Sequence, residues 1–459
     1  MDRVQVDADL LRRYDRPGPR YTSYPTAVEF HDGFTPQAYA GRLRQIQADE
    51  TISLYIHLPF CQHRCTFCGC HVVATTKKEI ADRYLDYLEE EMKLVRSQLT
   101  QRPRVVQYHW GGGTPTYFSP EQLQRLHRSV NAHFDLQAEA EQAVEVDPRV
   151  TTPEHIEVLA DLGFNRLSLG VQDLSPQVQE AIGRNQDETQ TRRLFELCRE
   201  RDFASINIDL IYGLPRQTSD GFGRTLETVL DLRPDRVALY SYAHVPWVKG
   251  HQKKIDTDLL PAPQDKFALF AQGLGAFLEG GYQQIGMDHF ALPQDELGRA
   301  RRQRRLHRNF MGYTVQRAPH MIGLGISSIG DTGGAYVQNC KKLSTYYAAL
   351  DQGELPVEKG YVLSPDDALR RWVITELMCN AHLDWKNVED RFGVSYSDYF
   401  ARELEELATG PAVDDFVRID PGTLEVTPLG QLFIRNICMI FDSYLQQKKS
   451  AAPIFSRTV

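Results

Sequence analysis

The regular alternation of short apolar segments with longer amphipathic ones is what most limits the possible folds of this chain. Stretches of helical periodicity separate the apolar, β-rich segments, as in repeated βα units around a parallel sheet. The β-rich segments lie at residues 52–60, 105–113, 143–148, 166–172, 206–214, 237–245 and 282–290. Polar or glycine-rich residues follow nearly all of them, and such residues meet at the carboxyl ends of parallel strands. The pattern predicts an α/β fold, a partial or complete parallel (β/α) barrel.

Three regions of different character divide the chain. Residues 51–355 hold the βα units, and residues 1–50 form a segment that we expect to cover the mouth of the barrel. Residues 356–459 show mainly helical periodicity, with a winged hairpin predicted near residues 417–427, which indicates a separate C-terminal helical domain. Within the barrel, Ser119 with Gln122, and Thr152 before a proline, predict helix starts.

Composition excludes several classes of protein. Hydrophobic residues make up 42% and charged residues 25% of the 459 residues, which is ordinary for a globular protein. The net charge of −9 argues against broad binding to nucleic acid. No apolar run of about 18 residues is present to span a membrane, and the first residues lack a signal-peptide core. We therefore expect a cytoplasmic protein without membrane or nucleic-acid partners.

Four of the eight cysteines crowd into the segment CQHRCTFCGC, directly after the first predicted strand. The spacing C-x3-C-x2-C-x-C brings three thiolates into one loop, where they can hold one face of an iron-sulfur cubane and leave one iron open. A zinc knuckle or a fully ligated ferredoxin-type cluster is the alternative, although zinc usually takes two separated ligand pairs and a ferredoxin takes four ligands. The segment predicts a metal centre at Cys61, Cys65 and Cys68.

Other polar residues at strand ends are candidates with plainer alternatives. Gly112, Gly113 and Thr114 end a strand where a bare backbone can approach a ligand, or where a turn simply needs glycine. Glu145 alternates with apolar residues, so it faces either the barrel interior or a solvated edge. Gln172, Arg184 and Asp209 lie in later βα units, where polar residues also cap helices or form surface ion pairs.

Taken together, these motifs resemble the radical S-adenosylmethionine (SAM) superfamily, and within it the oxygen-independent coproporphyrinogen III oxidase family. The resemblance spans nearly the whole chain. It is carried by the fourth cysteine, Cys70, by PRYTSYPTA at residues 19–27, and by YIHLPFC, GGGTPT, EVDPR, LSLGVQD, NIDLIYGLP, LHRNFMGYT and IRNICMIFDSYL. The family has Gln in the GYT segment where this chain has Met311, which replaces an amide by a thioether.

The resemblance implies a role for each matching residue. Cys61, Cys65 and Cys68 would ligate a 4Fe-4S cluster, whereas Cys70 would be a non-ligating thiol that takes part in catalysis. Glu145 is implied both in catalysis and in binding the first SAM. The residues implied for the SAM bound to the cluster are Tyr55, Gly112, Glu145 and Ile329. Those implied for a second SAM are Phe67, Gly113, Thr114, Gln172, Arg184, Asp209 and Ala243.

The implied activity is the oxidative decarboxylation of two propionates of coproporphyrinogen III to vinyl groups, giving protoporphyrinogen IX for haem biosynthesis. A deoxyadenosyl radical would take a hydrogen atom from the propionate β-carbon, and CO2 and one electron would then leave. The implied partners are the tetrapyrrole, a reductant such as flavodoxin or ferredoxin and an unidentified electron acceptor, with the enzyme a monomer. The four propionates need cations. The candidate arginines are Arg16 and Arg20, together with a basic run whose more usual explanation is a solvated helix face: Arg299, Arg301, Arg302, Arg304 and Arg305.

Two other functions compete with this interpretation. A haem-trafficking relative of the same superfamily would bind haem rather than oxidise a porphyrinogen, but such relatives typically lack the fourth cysteine and the PRYTSYPT segment. An iron-sulfur electron carrier or regulator would leave the glycine run and Glu145 without a purpose. Anaerobic turnover of SAM with and without the tetrapyrrole separates the three.

Overall fold

The computed structural model, which describes residues 8–447 and 455–458, alternates strands with helices until residue 362 and is mainly helical after that. Its strands are β1 (Thr51–Leu58), β2 (Phe60–Cys61), β3 (Val73–Ala74), β4 (Arg104–Gly112), β5 (Asp135–Val146), β6 (Arg166–Gln172), β7 (Ser205–Tyr212), β8 (Arg236–Ser241), β9 (Gln283–Gln284), β10 (His289–Ala291), β11 (His307–Asn309), β12 (Gly312–Thr314), β13 (His320–Leu324), β14 (Ile329–Thr332), β15 (Ala335–Asn339), β16 (Val357–Val362), β17 (His382–Asp384), β18 (Val417–Asp420) and β19 (Thr423–Val426). Its α-helices are α1 (Ala8–Tyr14), α2 (Pro36–Leu43), α3 (Glu79–Gln98), α4 (Pro120–His133), α5 (Pro153–Asp161), α6 (Pro176–Ala181), α7 (Glu188–Glu200), α8 (Ser219–Leu232), α9 (Pro263–Glu279), α10 (Glu296–Arg302), α11 (Leu343–Asp351), α12 (Pro365–Asn380), α13 (Trp385–Phe392), α14 (Tyr396–Tyr399), α15 (Ala401–Thr409), α16 (Pro428–Leu432), α17 (Ile434–Ile440) and α18 (Ser443–Gln447).

One large open sheet forms the barrel-like part of the fold. Within the described residues, twelve strands lie in the order β16-β15-β14-β13-β1-β4-β5-β6-β7-β8-β10-β9. The neighbours from β13 to β8 run parallel, whereas the strands added at either side pair antiparallel. Since β16 and β9 remain as edges, the fold is the partial form of the predicted barrel. The predicted strand at 282–290 is in fact the short antiparallel pair β9 and β10.

The period-two alternation of each strand decides which side chains enter the barrel. Buried and half-buried residues alternate along β6. Tyr55 of β1 lies beside His109 of β4, and Glu145 of β5 lies beside Ser168 of β6. Asp209 of β7 is at the level of Gly170. These polar residues therefore line one internal space, while the apolar residues between them pack against the surrounding helices.

The hairpin of β11 and β12 forms the floor of that space. Asn309 donates a hydrogen bond to Oε1 of Gln107 at 2.9 Å, and Thr314 donates to Oε2 of Glu141 at 2.8 Å. Gln107 in turn donates to Glu141 at 3.0 Å. Because buried polar groups are satisfied here by one another, the hairpin is held firmly across the barrel. The internal space above the hairpin opens toward the carboxyl ends of the strands.

A buried carboxylate braces the loop between β13 and β14. Glu91 on α3 accepts hydrogen bonds from the backbone N of Gly325 at 2.7 Å, from Asn339 at 2.5 Å and from the hydroxyl of Tyr346 at 2.7 Å. Burial raises the pKa of Glu91 to about 7, against the opposing effect of these donors. The network fixes the loop that leads to Ile329.

The C-terminal region has a separate core. Helices α12 to α17 pack around it with the antiparallel sheet β17-β19-β18, and the hairpin predicted at 417–427 is the pair β18 and β19. The large sheet continues through β16, so it extends seven residues past residue 355, where the sequence suggested the domain boundary. Tyr21 and Tyr24 of the N-terminal segment also belong to the C-terminal core.

The helix starts agree with the capping prediction. Ser119 accepts from the backbone N of Gln122, and the Gln122 side chain accepts from the Ser119 backbone. The other predicted helix is α5, preceded by Thr152 and followed by Gly163 at φ +89°. In residues 8–447 and 455–458, no helix combines the length and the apolar character needed to cross a bilayer.

Candidate active site

The cysteine segment leaves the barrel at the carboxyl end of β1 and is tied to its surroundings by backbone contacts. Thr66 donates to the carbonyl of Ile182 at 3.0 Å. His251 donates to the carbonyl of Cys68 at 2.7 Å, and Gln252 donates to that of Phe67 at 3.0 Å. All eight cysteines of the chain are free thiols. The sulfur atoms of the loop therefore belong to no disulfide and are available to bind a metal.

Two arginines lie beside the thiol of Cys65. The guanidinium of Arg149 reaches to 3.5 Å and that of Arg184 to 3.8 Å from its sulfur. Both arginines pair with Asp147, at 2.6 and 3.0 Å. Burial alone would raise the pKa of Asp147, but Arg184 and Arg149 hold it below its ordinary value. Because the two arginines share one carboxylate, a net positive charge remains beside Cys65, where it can balance an anionic thiolate.

The remaining thiols have polar partners too. The hydroxyl of Thr114 lies 3.4 Å from the sulfur of Cys61. A hydrogen bond from the side chain of Cys70 lowers the pKa of Cys68 to about 6. Cys70 itself is exposed and lines a cavity of about 370 Å³ with Arg64, His71 and Lys249 among others. The non-ligating role implied for Cys70 stays a prediction.

This donor set fits a cluster better than a single ion. In the described part of the chain, no three His, Cys, Asp or Glu side chains converge closely enough to hold one metal ion. The ligands of a cubane bind different iron atoms and need not converge, so three separate thiols on one loop remain suitable. A structural zinc ion usually takes two separated pairs of ligands, whereas these thiols stand on one loop.

The glycine run at the end of β4 is packed against protein on both sides. A Cβ on Gly113 would lie 2.6 Å from the carbonyl carbon of Pro59, and one on Gly112 would lie 2.6 Å from the ring of His57. Gly112 also has a φ of +119°. The missing side chains thus allow β4 to approach the start of the cysteine loop. We expected them to make room for a ligand, and the structure adds this packing reason.

Glu145 points into the barrel, where it is held by two hydrogen-bond partners. Its Oε2 accepts from the backbone N of Gly112 at 3.1 Å, and its Oε1 lies 3.4 Å from Nε2 of His109. Although burial acts to raise the pKa of Glu145, His109 lowers it below the ordinary value. The side chain keeps 44% of its surface accessible. An ionised carboxylate facing an enclosed space can receive an ammonium group.

Tyr55 belongs to a short relay that ends at the cysteine loop. Its hydroxyl lies 3.0 Å from Nδ1 of His57, whose Nε2 lies 2.9 Å from the carbonyl oxygen of His71. A carbonyl only accepts, so Nε2 carries the hydrogen and Nδ1 accepts from Tyr55. Burial lowers the pKa of His57 to about 4, which keeps the ring neutral. His57 was not among the predicted site residues.

The later strands contribute a second group of polar residues. Arg184 donates to the carbonyl of Gly170 at 2.5 Å, and a Cβ on Gly170 would meet Gln172 and Arg184 at 2.9 and 3.1 Å. Asp209 accepts from Ser168 at 3.1 Å. Burial, together with the charge of Glu145, raises the pKa of Asp209 to about 6. Three residues from separate predicted motifs therefore meet at one end of the barrel.

Phe67, Ala243 and Ile329 complete the predicted set. The amide of Gln252 donates to the carbonyls of both Phe67 and Ala243, so these two residues are neighbours. Ile329 begins β14, and its carbonyl oxygen lies 2.7 Å from where a Cβ on Gly323 would stand. Most of the predicted site residues thus lie at the carboxyl ends of the parallel strands or on loops that pack there, whereas Tyr55 and Asp209 lie within β1 and β7.

Comparison with known proteins agrees with this arrangement. Residues 55–229 match the model of the Radical SAM superfamily, and residues 363–433 match the HemN C-terminal domain. The oxygen-independent coproporphyrinogen III oxidase of Escherichia coli is 43% identical over 459 residues, covering 100% of both chains. That of Helicobacter pylori strain J99 is 44% identical over 446 residues, covering 96% of this chain and 97% of the relative.

A solved structure agrees across the whole fold. The coproporphyrinogen III oxidase HemN of Escherichia coli, described as a radical SAM enzyme, superposes with a TM-score of 0.91 at 42% identity. The superposition covers 96% of this chain and 100% of that one. The chain belongs to the oxygen-independent coproporphyrinogen III oxidase family. As a member of this radical SAM family, it uses a 4Fe-4S cluster and SAM.

For a coproporphyrinogen III oxidase, the predicted basic run lies at the wrong end of the barrel. Helix α10 carries it, and Glu296 at the start of this helix pairs with Arg166 and Arg236. Those two arginines begin β6 and β8, so α10 sits at the amino ends of the strands. Arg299, Arg301, Arg302, Arg304 and Arg305 are therefore remote from the cysteine loop, whereas Arg20 lies against Tyr240 at the interior.

Several polar residues that lie close to the predicted site residues were not named from the sequence. They are His57, His109, Arg149 and Arg308, and the pairing of Asp147 with two arginines was not foreseen. The EVDPR motif did contain a signal, because Arg149 stands two residues after Asp147. Arg308 lies in the LHRNFMGYT segment but was not singled out from the sequence, because its contacts with residues 20 and 21 form only when the hairpin folds across the barrel.

Proposed function

We propose that this chain carries out the anaerobic oxidative decarboxylation of coproporphyrinogen III to protoporphyrinogen IX through the residues assembled above. The observation that carries the assignment is the loop of three free thiols with surplus cations beside Cys65, in a chain similar along its whole length to enzymes of that name. Cys61, Cys65 and Cys68 would hold the cluster. Bound there with SAM, the cluster supplies the single electron that generates a deoxyadenosyl radical.

The remaining site residues are proposed to hold and orient two SAM molecules. Glu145, fixed by Gly112 and His109, offers a carboxylate to the amino group of a first SAM, with Tyr55 and Ile329 at its sides. The second set, which includes Gln172, Arg184 and Asp209, is proposed for a second SAM. Each group is already held by hydrogen bonds within the protein, so little ordering is needed on binding.

Cys70 is proposed to act next to the reacting side chain. It stands beside the cluster loop, and its charge acts on Tyr55, which places it near the polar interior. The N-terminal segment brings Arg20 to Asp288 and Tyr240, and it is proposed to exclude water and oxygen from the reaction. The electron left after loss of CO2 must go to an external acceptor.

The reductant, a protein such as flavodoxin or ferredoxin, is proposed to dock beside the cysteine loop. Trp247 and Val248 are 62% and 63% exposed there, and Lys249, Lys253 and Lys254 follow them in sequence. His251 and Gln252 of the same segment hold the cysteine loop directly. An exposed apolar pair ringed by lysines on an otherwise acidic protein suits an acidic electron carrier.

We also propose a monomer that works in the cytoplasm. All the site residues named above come from one chain, so a partner subunit is not needed to complete the site. Free thiols at all eight cysteines suit a reducing compartment.

The decisive experiment is anaerobic reconstitution of the cluster, followed by reduction with SAM and coproporphyrinogen III. We expect protoporphyrinogen and 5'-deoxyadenosine together, and a Cys65→Ser variant that forms neither. Deoxyadenosine without tetrapyrrole turnover would point to another substrate. Haem binding without SAM cleavage would favour the trafficking function and overturn the proposal.

A further inference from the structure

Two arginines from distant parts of the chain, Arg20 and Arg308, lie together at the open side of the barrel. Arg308 on β11 donates from Nη1 to the carbonyl oxygens of Arg20 and Tyr21, at 2.7 and 3.1 Å. Arg20 forms an ion pair with Asp288. These contacts fasten the N-terminal segment to the hairpin that floors the interior, and they bring the two guanidiniums close together.

Both arginines face the space that holds the proposed SAM residues. The guanidinium carbon of Arg20 lies 5.7 Å from the ring centre of Tyr240. Burial raises the pKa of Tyr240, and Asp209, Arg20, Glu145 and Arg308 all act on it, so they surround one region. Arg20 is deeply enclosed, yet its side chain keeps 34% of its surface accessible. It therefore faces an internal cavity.

Of the three guanidiniums in this region, only that of Arg20 has a carboxylate partner among the described residues. Asp288 is shared between Arg20 and His289, which lies 2.7 Å from it. Arg308 has no carboxylate partner among the described residues, and its Nε is buried without any hydrogen bond. Arg435, a third guanidinium nearby, donates only to backbone carbonyls.

A buried cation without a counter-charge is costly, and proteins keep one where an anion is to be bound. We propose that Arg308, assisted by Arg20, binds a propionate carboxylate of the tetrapyrrole and so sets the depth at which the substrate enters the barrel. A guanidinium suits this task because its planar donors match the two oxygens of a carboxylate. The inference rests on the proposed function, since it supplies the substrate.

Equilibrium binding of coproporphyrinogen III under anaerobic conditions tests the proposal. We expect Arg308→Gln to weaken binding by roughly tenfold or more, as the loss of a charged hydrogen bond implies. Arg308→Lys should recover part of the affinity, and Arg20→Gln should weaken binding as well. The control is Arg304→Gln, which changes a half-exposed arginine paired with Glu425 of the C-terminal sheet.

A carboxylate-free ligand makes the test specific. The tetramethyl ester of coproporphyrinogen should bind equally to the wild type and to Arg308→Gln. Equal affinity of the wild type and both glutamine variants for the free acid would overturn the inference, as would an equal loss for acid and ester. SAM cleavage without tetrapyrrole, measured in each variant, reports an intact site. A wild type that fails to decarboxylate coproporphyrinogen would instead refute the proposed function.

Discussion

Replacing Gly113 by alanine tests whether the glycine run serves the packing of the cysteine loop. The added Cβ would stand 2.6 Å from the carbonyl carbon and oxygen of Pro59 and 2.7 Å from the carbonyl oxygen of Phe60. All three atoms belong to the backbone, so no side chain can rotate to relieve the overlap. The end of β4 and the start of the cysteine loop must separate.

The separation breaks specific contacts. Gly113 donates to the carbonyl of Leu58, and Thr114 donates to that of Phe60, both at 2.9 Å. Overpacking of this kind costs about 1–3 kcal/mol. The same shift moves the hydroxyl of Thr114 away from Cys61. We expect a lower urea midpoint for the anaerobic apoprotein and less iron bound per chain after reconstitution.

Gly41→Ala provides the matched control. Gly41 lies within α2, and a Cβ there would meet nothing within 4 Å. Alanine favours a helix over glycine by up to about 1 kcal/mol, so this variant should be equally or more stable and should bind iron normally. If Gly113→Ala matched the wild type in both urea midpoint and iron content, the packing explanation of the glycine run would be wrong.

Three further predictions concern other parts of the molecule. Glu91→Gln should flatten the pH dependence of stability. The folded-state pKa of Glu91 is raised from 4.5 to about 7, so its contribution is complete below about pH 4.5 and is lost as pH rises through 7, which urea unfolding at pH 5 and pH 8 will measure. Cys70→Ser should keep the iron content and SAM cleavage of the wild type but lose protoporphyrinogen formation; loss of the cluster would make Cys70 a ligand after all. Reversing the charges of Lys253 and Lys254 to Glu should raise the KM for reduced flavodoxin several-fold and leave turnover with dithionite unchanged, while an equal loss with both reductants would place the electron-carrier surface elsewhere.

The parts of the fold that follow from local pattern were predicted correctly. Strand periodicity located the parallel strands, and the capping residues Ser119 and Gln122 marked the start of α4. The cysteine spacing located the loop, since three ligands of one cluster must be close in sequence when they share one turn. Each of these features is decided within about ten residues, where side-chain period and turn chemistry dominate.

Features decided by distant contacts were not predicted. The antiparallel strands β14, β15 and β16 pair beyond β13, and nothing in their own sequences distinguishes them from the barrel strands. The basic run around Arg301 looked like a ligand for propionates, yet it lies at the amino ends of the strands because Glu296 is held by two arginines there. A run of charged residues in a sequence does not itself indicate at which end of a barrel the run will lie.

The two ends of the described chain form one wall of the substrate space. Gly18 donates to the carbonyl of Ser456, Thr458 donates to that of Arg16, and Arg435 contacts both strands of this junction. Arg20 extends from the same junction into the barrel. Because Gly18, which pairs with Ser456, is two residues from Arg20, substitutions at residues 456–458 should be assayed for substrate binding as well as for stability.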